Sequence, residues 1–293
     1  MFVILQPVEV TGKFFEKRKI AKNIARSSAV FHRENGALPF CSLNVAAQNT
    51  DWQAVAEKCG RYASRIVAPL SFPLPDGTAL RRFVPSSAVH SFVLNTAVKY
   101  LRAARADPRS FTLTLTDRLA LLSAATVDLI ELCACVRVVT SRPDKYAATC
   151  ENAMRNYGAS LIIRPCYEPS KKPDVVICAD GAFSRAMENA AVFTAKKTDC
   201  GKLVFALSGV ALLPRHRELL PNGARELDLA GALTELCGCK AYSDACFTDI
   251  SVSCGKCPLP SPQNCILCHI GQKQADFSGI FECNHNSTKA INT

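Results

Sequence analysis

Between residues 110 and 210 the sequence keeps one rhythm: the short segments "SFTLTLT", "VRVVT", "SLIIR", "DVVICA", "AVFTA" and "KLVFALSG" recur, separated by helical or polar stretches. A strand with one wet face alternates apolar and polar residues, whereas a strand apolar at nearly every position is covered on both faces. Parallel strands joined by crossover connections supply that cover. The feature therefore predicts an α/β fold with a mainly parallel sheet, its strands near 110–116, 136–140, 160–164, 174–179 and 203–207. Two helices are expected to cover it. The first spans 118–132, with Asp117 as N-cap and Leu119, Leu122, Thr126, Leu129 and Ile130 facing inward. The second spans 143–157, entered through Pro143 and closed by Gly158.

Residues 1–109 read as an N-terminal α/β region of a different kind. "MFVILQPVEV" has the composition of a buried strand, and "KFFEKRKIAKNIARS" is an amphipathic helix. At helical spacing Ile20, Ala21, Ile24 and Ala25 form one stripe, with Arg18, Lys19, Lys22 and Arg26 opposite it. A short helix over 51–62, a strand in "SRIVAPL" and a longer helix in "SSAVHSFVLNTAVKYLRAAR", stopped by Asp107-Pro108, complete the region. Charge is concentrated here: residues 1–110 hold sixteen Lys and Arg against seven Asp and Glu, nearly all of the net charge of +10. The ordinary reading of the basic helix face is a solvated surface. The sharper one is contact with a phosphate-bearing partner, including nucleic acid, although no nucleic-acid module is legible nearby.

A chain of 293 residues that is 48% hydrophobic and only 20% charged can bury a sizeable core. No apolar run reaches the roughly 18 to 20 residues needed to span a bilayer, and the first charges follow the apolar start, the reverse of a signal peptide. No membrane association and a cytoplasmic location are expected. In that compartment most of the sixteen cysteines act as small hydrophobes, as in "LIELCACVRVV".

The succession "FTLTLTD…VRVVTSRP…YGASLIIRP…DVVICADG" resembles, in order and spacing, a Rossmann-like dinucleotide-binding domain. The resemblance implies a nucleotide-type ligand at the carboxyl ends of the strands, near Asp117, Arg118, Ser141, Arg142, Asp180 and Gly181. It also implies a preference for NADP, because Ser141-Arg142 stands where an acidic residue would select NAD and can hold a 2′-phosphate. The sequence departs from the family at the first turn. Thr116-Asp117-Arg118-Leu119-Ala120 contains no glycine, and an aspartate at a helix start competes with a phosphate for the same N–H groups unless Arg118 offsets it. Ser141 also has a plainer use, as a cap for the helix entered at Pro143, and Asp180-Gly181 makes an ordinary turn. His90 and His216, the latter between Arg215 and Arg217, have no partner that any motif supplies and are expected to serve no catalytic role, His216 at the surface.

The last stretch, 251–293, is irregular and cysteine-rich, and follows a Rossmann-like segment taken as 110–250. "SCGKCPLPSPQNCILCH" places Cys254, Cys257, Cys265 and Cys268 as two Cys-x-x-Cys turns, a spacing that fits one structural Zn²⁺ with His269 outside its ligand shell. Covalent haem attachment at Cys265 and Cys268 belongs to exported proteins, and the spacing is not that of an iron–sulfur cluster. Three functions compete on these residues: a nucleotide-binding protein, a non-catalytic interaction protein with a degenerate cofactor site, and a nucleic-acid binder acting through the basic N-terminal region. No hydrolase elbow, Walker loop or Cys-His dyad is present, so the sequence names no reaction and no oligomeric state.

Overall fold

The computed structural model describes residues 1–11, 14–48, 50–105, 107–133, 135–168, 173–254, 257–259 and 269. In chain order its elements are β1 (Val3–Val8), α1 (Phe14–Arg26), β2 (Val30–His32), β3 (Phe40–Ala46), α2 (Trp52–Cys59), β4 (Ile66–Val67), α3 (Ser87–Ala104), β5 (Thr112–Thr116) and β6 (Cys135–Val139). They continue with α4 (Ala147–Tyr157), β7 (Ile162–Arg164), β8 (Val175–Cys178), β9 (Ala191–Thr194), β10 (Leu203–Val210), α5 (Pro214–Arg217), α6 (Glu226–Cys237), β11 (Phe247–Cys254) and β12 (Cys257–Leu259). Among the described residues no helix is long and apolar enough to cross a membrane. The chain divides into two compact units, and the division is discontinuous in sequence. One contains Met1–Asn95 and Ser208–Asp249; the other contains Thr96–Leu207 and the described residues from Ile250 onward.

The first unit carries a four-stranded sheet in the order β2-β3-β1-β4. Strand β1 lies parallel to β3 from Val3↔Cys41 to Val8↔Ala46 and parallel to β4 at Val3↔Ile66 and Ile4↔Val67, while β2 runs antiparallel to β3. A central strand paired on both sides is covered, which is why "VIL" opens it: Val3, Ile4 and Leu5 are all buried, Val3 and Leu5 packed with Leu43, Val45, Val55 and Ile66. Asp51 caps α2 by accepting the N–H of Ala54. The strands β2 and β3 occupy residues to which the sequence pattern assigns nothing.

The eight-stranded sheet, order β12-β11-β10-β9-β8-β5-β6-β7, lies mostly in the second unit, with the end of β10 and the start of β11 counted in the first. From β7 to β10 every pairing is parallel. Counted from β5, the spatial order is 3-2-1-4-5-6, the doubly wound arrangement in which the chain reverses direction between its first and fourth strands. The expected parallel α/β sheet is therefore present, with Leu113, Leu115, Val138, Ile177, Val192 and Phe193 buried along its centre. Phe193 and Phe205 stack at 4.4 Å, with Tyr100 of α3 edge-on to both. Ile162 lies on the sheet's last parallel strand and is only partly buried.

The two expected helices fare differently. Pro143–Tyr146 is a short 3-10 turn that leads into α4, and Gly158 ends α4 in the left-handed region, its N–H reaching Ala153 and Met154. The helix expected over 118–132 is replaced by turns and a 3-10 segment, Ala124–Leu129. Two facts account for this. Ala120 has φ of 57°, which no α-helix permits, and the Asp117 side chain takes the N–H groups of Leu121 and Leu122. Leu119, expected inward, is consequently 64% exposed.

Candidate functional site

In a doubly wound sheet, ligands sit outside the carboxyl ends of the strands where the chain reverses. Here that place is the edge formed by the ends of β5, β6 and β8, and it is where the six residues singled out from sequence converge. Asp117 follows β5 directly, and its N–H bonds the Val139 carbonyl at 3.0 Å. Its side chain is fully buried: Oδ1 accepts Leu121 N–H at 2.9 Å, and Oδ2 accepts Leu122 N–H and the Tyr146 hydroxyl, each at 2.8 Å. Burial, foremost among several causes, holds the Tyr146 phenol well above its ordinary pKa, so it remains a donor to this carboxylate.

Asp180, beyond the end of the neighbouring strand β8, is tied down in the same way. Oδ1 accepts the Thr116 hydroxyl at 2.8 Å and Ala182 N–H at 2.9 Å, and Oδ2 accepts Arg118 N–H at 3.1 Å with the Arg118 guanidinium 3.5 Å away. Burial works to raise its pKa, but these donors and the guanidinium prevail and hold it below the usual carboxylate value. Gly181 has φ of +66°, and a Cβ there would fall inside the Lys196 side chain. The Lys196 ammonium lies 3.0 Å from the Asp180 carbonyl, so the stem crosses the glycine to reach it. Beneath, the Cys178 thiol is pushed up to about 11, mainly by burial.

Ser141 and Arg142 leave the end of β6 beside Arg118, whose carbonyl accepts Ser141 N–H at 3.1 Å. Arg142 N–H bonds the Thr140 hydroxyl at 3.1 Å. Both guanidiniums face solvent, Arg118 at 61% and Arg142 at 52% exposure, with Asp144 at 3.6 Å from Arg142. The plainer use of Ser141 as a helix cap does not occur: Arg142 precedes the 3-10 turn, and no side chain caps it. The sequence reading missed Thr116, Tyr146 and Lys196, which lock the two aspartates in place. A threonine ending a strand beside a second strand's Asp-Gly was the one local signal available; Tyr146 and Lys196 come from positions that pattern does not mark.

Of the four cysteines expected to hold zinc, Cys254 ends β11 and Cys257 opens β12, paired with each other across the hairpin. Cys265 and Cys268 lie outside the described residues. Among the described residues no group of three or more His, Cys, Asp or Glu is placed to hold a metal ion. The His269 ring nitrogen Nε2 lies 3.0 Å from the Asp174 carbonyl. In the first unit His216, expected at the surface, is 1% exposed, because Glu34 and Tyr242 meet its two ring nitrogens at 2.8 and 2.7 Å.

No protein-family model matches the chain, and no curated protein matches it. Among solved structures it is similar to that of L-tryptophan dehydrogenase from Nostoc punctiforme, at 13% identity and a TM-score of 0.25. The alignment covers 60% of this chain and 55% of that one, so the chain spans about half of that protein's length. The strand order and the site's own bonds, rather than this distant likeness, carry the reading that follows.

Proposed function

We propose that the edge formed by β5, β6 and β8 binds a phosphate-bearing adenine nucleotide through Arg118, Ser141 and Arg142, and that the chain is a binding module rather than a dehydrogenase. The observation that carries this reading is the Asp117 carboxylate on the N–H groups of Leu121 and Leu122. In a dinucleotide domain the N–H groups of the turn after the first strand face a pyrophosphate. Here they already hold an anion that the chain supplies, and a diphosphate brought to them would be repelled by it. Asp180 likewise has its acceptors engaged by Thr116, Arg118 and Ala182. Facing solvent are two guanidiniums, Arg118 paired with Asp180 and Arg142 with the exposed Asp144, whose planar donors suit phosphate oxygens, beside the Ser141 hydroxyl.

Calorimetry with adenosine 2′,5′-bisphosphate, NADP and NAD tests the reading. With no diphosphate cradle in use, the bisphosphate and NADP should bind within about threefold of each other, and NAD about tenfold or more weaker. Arg142→Ala should erase the difference between NADP and NAD. NADP binding about a hundredfold tighter than the bisphosphate would mean that the diphosphate is held after all, and would refute the proposal. Absence of binding by all three at millimolar concentration would favour the second reading that the sealed turn supports, a sheet retained as the scaffold of an interaction protein.

A further inference from the structure

The first unit has a cavity that the switch-point reading does not use. It measures about 670 Å³ and lies between α1 and the carboxyl half of β3, reaching Val10 beyond β1 and the start of α2. A void of this size is foreign to a packed interior and falls within the range of small-molecule sites, about 300 to 1,000 Å³. Its floor is apolar, with Leu43, Val45 and Val55 buried. Its rim is cationic: Lys17, Arg18 and Lys22 line it from α1, and Lys58 from the far end of α2.

The solvent-exposed face expected of α1 thus also borders the cavity. Arg18 and Lys22 line the cavity together with Ala21 and Ile24, whereas Phe15 is 83% exposed and Ile20 37%. Among the described residues the lining has four cations, one of which, Lys58, donates to the Ser27 carbonyl at 2.9 Å, and one acid, Asp51, whose carboxylate accepts Ala54 N–H. Like charges gathered around one concavity repel, and an anion between them removes the cost. Asn44, Gln48 and Thr50 add uncharged hydrogen-bonding groups to the same lining.

We infer that this cavity binds a small phosphate-bearing molecule with an apolar body, the phosphate meeting Lys17, Arg18 and Lys22 and the body resting on Leu43, Val45 and Val55. The site is separate from the edge of β5, β6 and β8 and does not depend on it. Phenyl phosphate is the probe, with benzyl alcohol as the uncharged control. Phenyl phosphate should bind saturably and benzyl alcohol should not, and Arg18→Gln with Lys22→Gln should weaken phenyl phosphate about tenfold or more while leaving thermal unfolding unchanged. Lysine acylation read by mass spectrometry gives an independent measure. Bound phenyl phosphate should shield Lys17 and Lys22 and leave Lys19, which is on the same helix but not in the lining, reactive. Binding unaffected by the double substitution, equal shielding of Lys19, or a surface that takes duplex DNA with a steep salt dependence and ignores phenyl phosphate would each overturn the inference.

Discussion

The two units offer a ligand the same kind of place, the carboxyl ends of parallel strands, and leave it in opposite states. At β5 and β8 the chain fills it: Asp117 and Asp180 point back into their own backbone and take the N–H groups there. At β1 and β3 the place is open, ringed by cations and floored by aliphatic side chains. Strand order alone therefore does not decide whether a sheet edge receives a ligand. What decides is whether short acids just past the strands satisfy the local donors, as after β5 and β8, or the place is left to long cations standing off from it on neighbouring helices, as α1 and α2 do in the first unit. The following changes break or sharpen that contrast.

The largest effect is expected at Asp117. Asp117→Ala leaves the N–H groups of Leu121 and Leu122 and the Tyr146 hydroxyl without their acceptor, the last two in a buried place. Each orphaned donor costs on the order of 1–3 kcal/mol before relaxation, so a loss of about 3–5 kcal/mol is expected in urea unfolding. Arg18→Gln in the open cavity should change stability by no more than about half a kcal/mol. Similar losses at the two positions would erase the distinction between a sealed site and an open one.

Gly181→Ala comes next, at about 1–3 kcal/mol, for its left-handed φ and for the Lys196 stem in the way. Adding Lys196→Ala should return some of that loss, because one of the two causes is removed; no recovery would show that Lys196 does not hold the turn. Asp180 supplies a smaller, pH-dependent effect. Its pKa is depressed in the fold, so its contribution is present above the unfolded carboxylate value of about 4 and is lost as pH falls through the lower folded value. Asp180→Asn should therefore flatten the acid side of the stability profile and leave its neutral and alkaline sides parallel to the parent's.

How much of this the sequence carries depends on what each residue's neighbours are. The strands β8, β9 and β10 are legible because burial leaves runs of mainly apolar side chains, which local composition records; β5 and β6 keep enough Leu and Val beside their Thr and Arg137 to be read with them. "FCSLNVA" at β3 is not, since Ser42 and Asn44 interrupt the run and its place beside β1 pairs residues 38 positions apart. His216 reads as exposed between two arginines, yet it is buried by Glu34, 182 positions away. The six residues at the switch point are legible as a set because strand ends are. Their bonds are not, because whether Asp117 faces a ligand or its own turn depends on the conformation of Ala120.

Ala120 gives the smallest and most discriminating test. The hydrophobic spacing of 118–132 calls for a helix, and in a helix Ala120→Gly would destabilise by roughly 0.5–1 kcal/mol. In the fold described here Ala120 sits at φ of 57°, where a Cβ costs about 1–2 kcal/mol and glycine costs nothing sterically. Ala120→Gly should therefore stabilise, by about 0.5–1 kcal/mol once the extra freedom of glycine in the unfolded chain is deducted. The sign alone separates the two conformations. It also bears on the sealed site, since only the left-handed turn at Ala120 brings Leu121 and Leu122 N–H onto Asp117. A destabilised Ala120→Gly would return the segment to a helix, release those donors from Asp117 and reopen the switch point to a diphosphate.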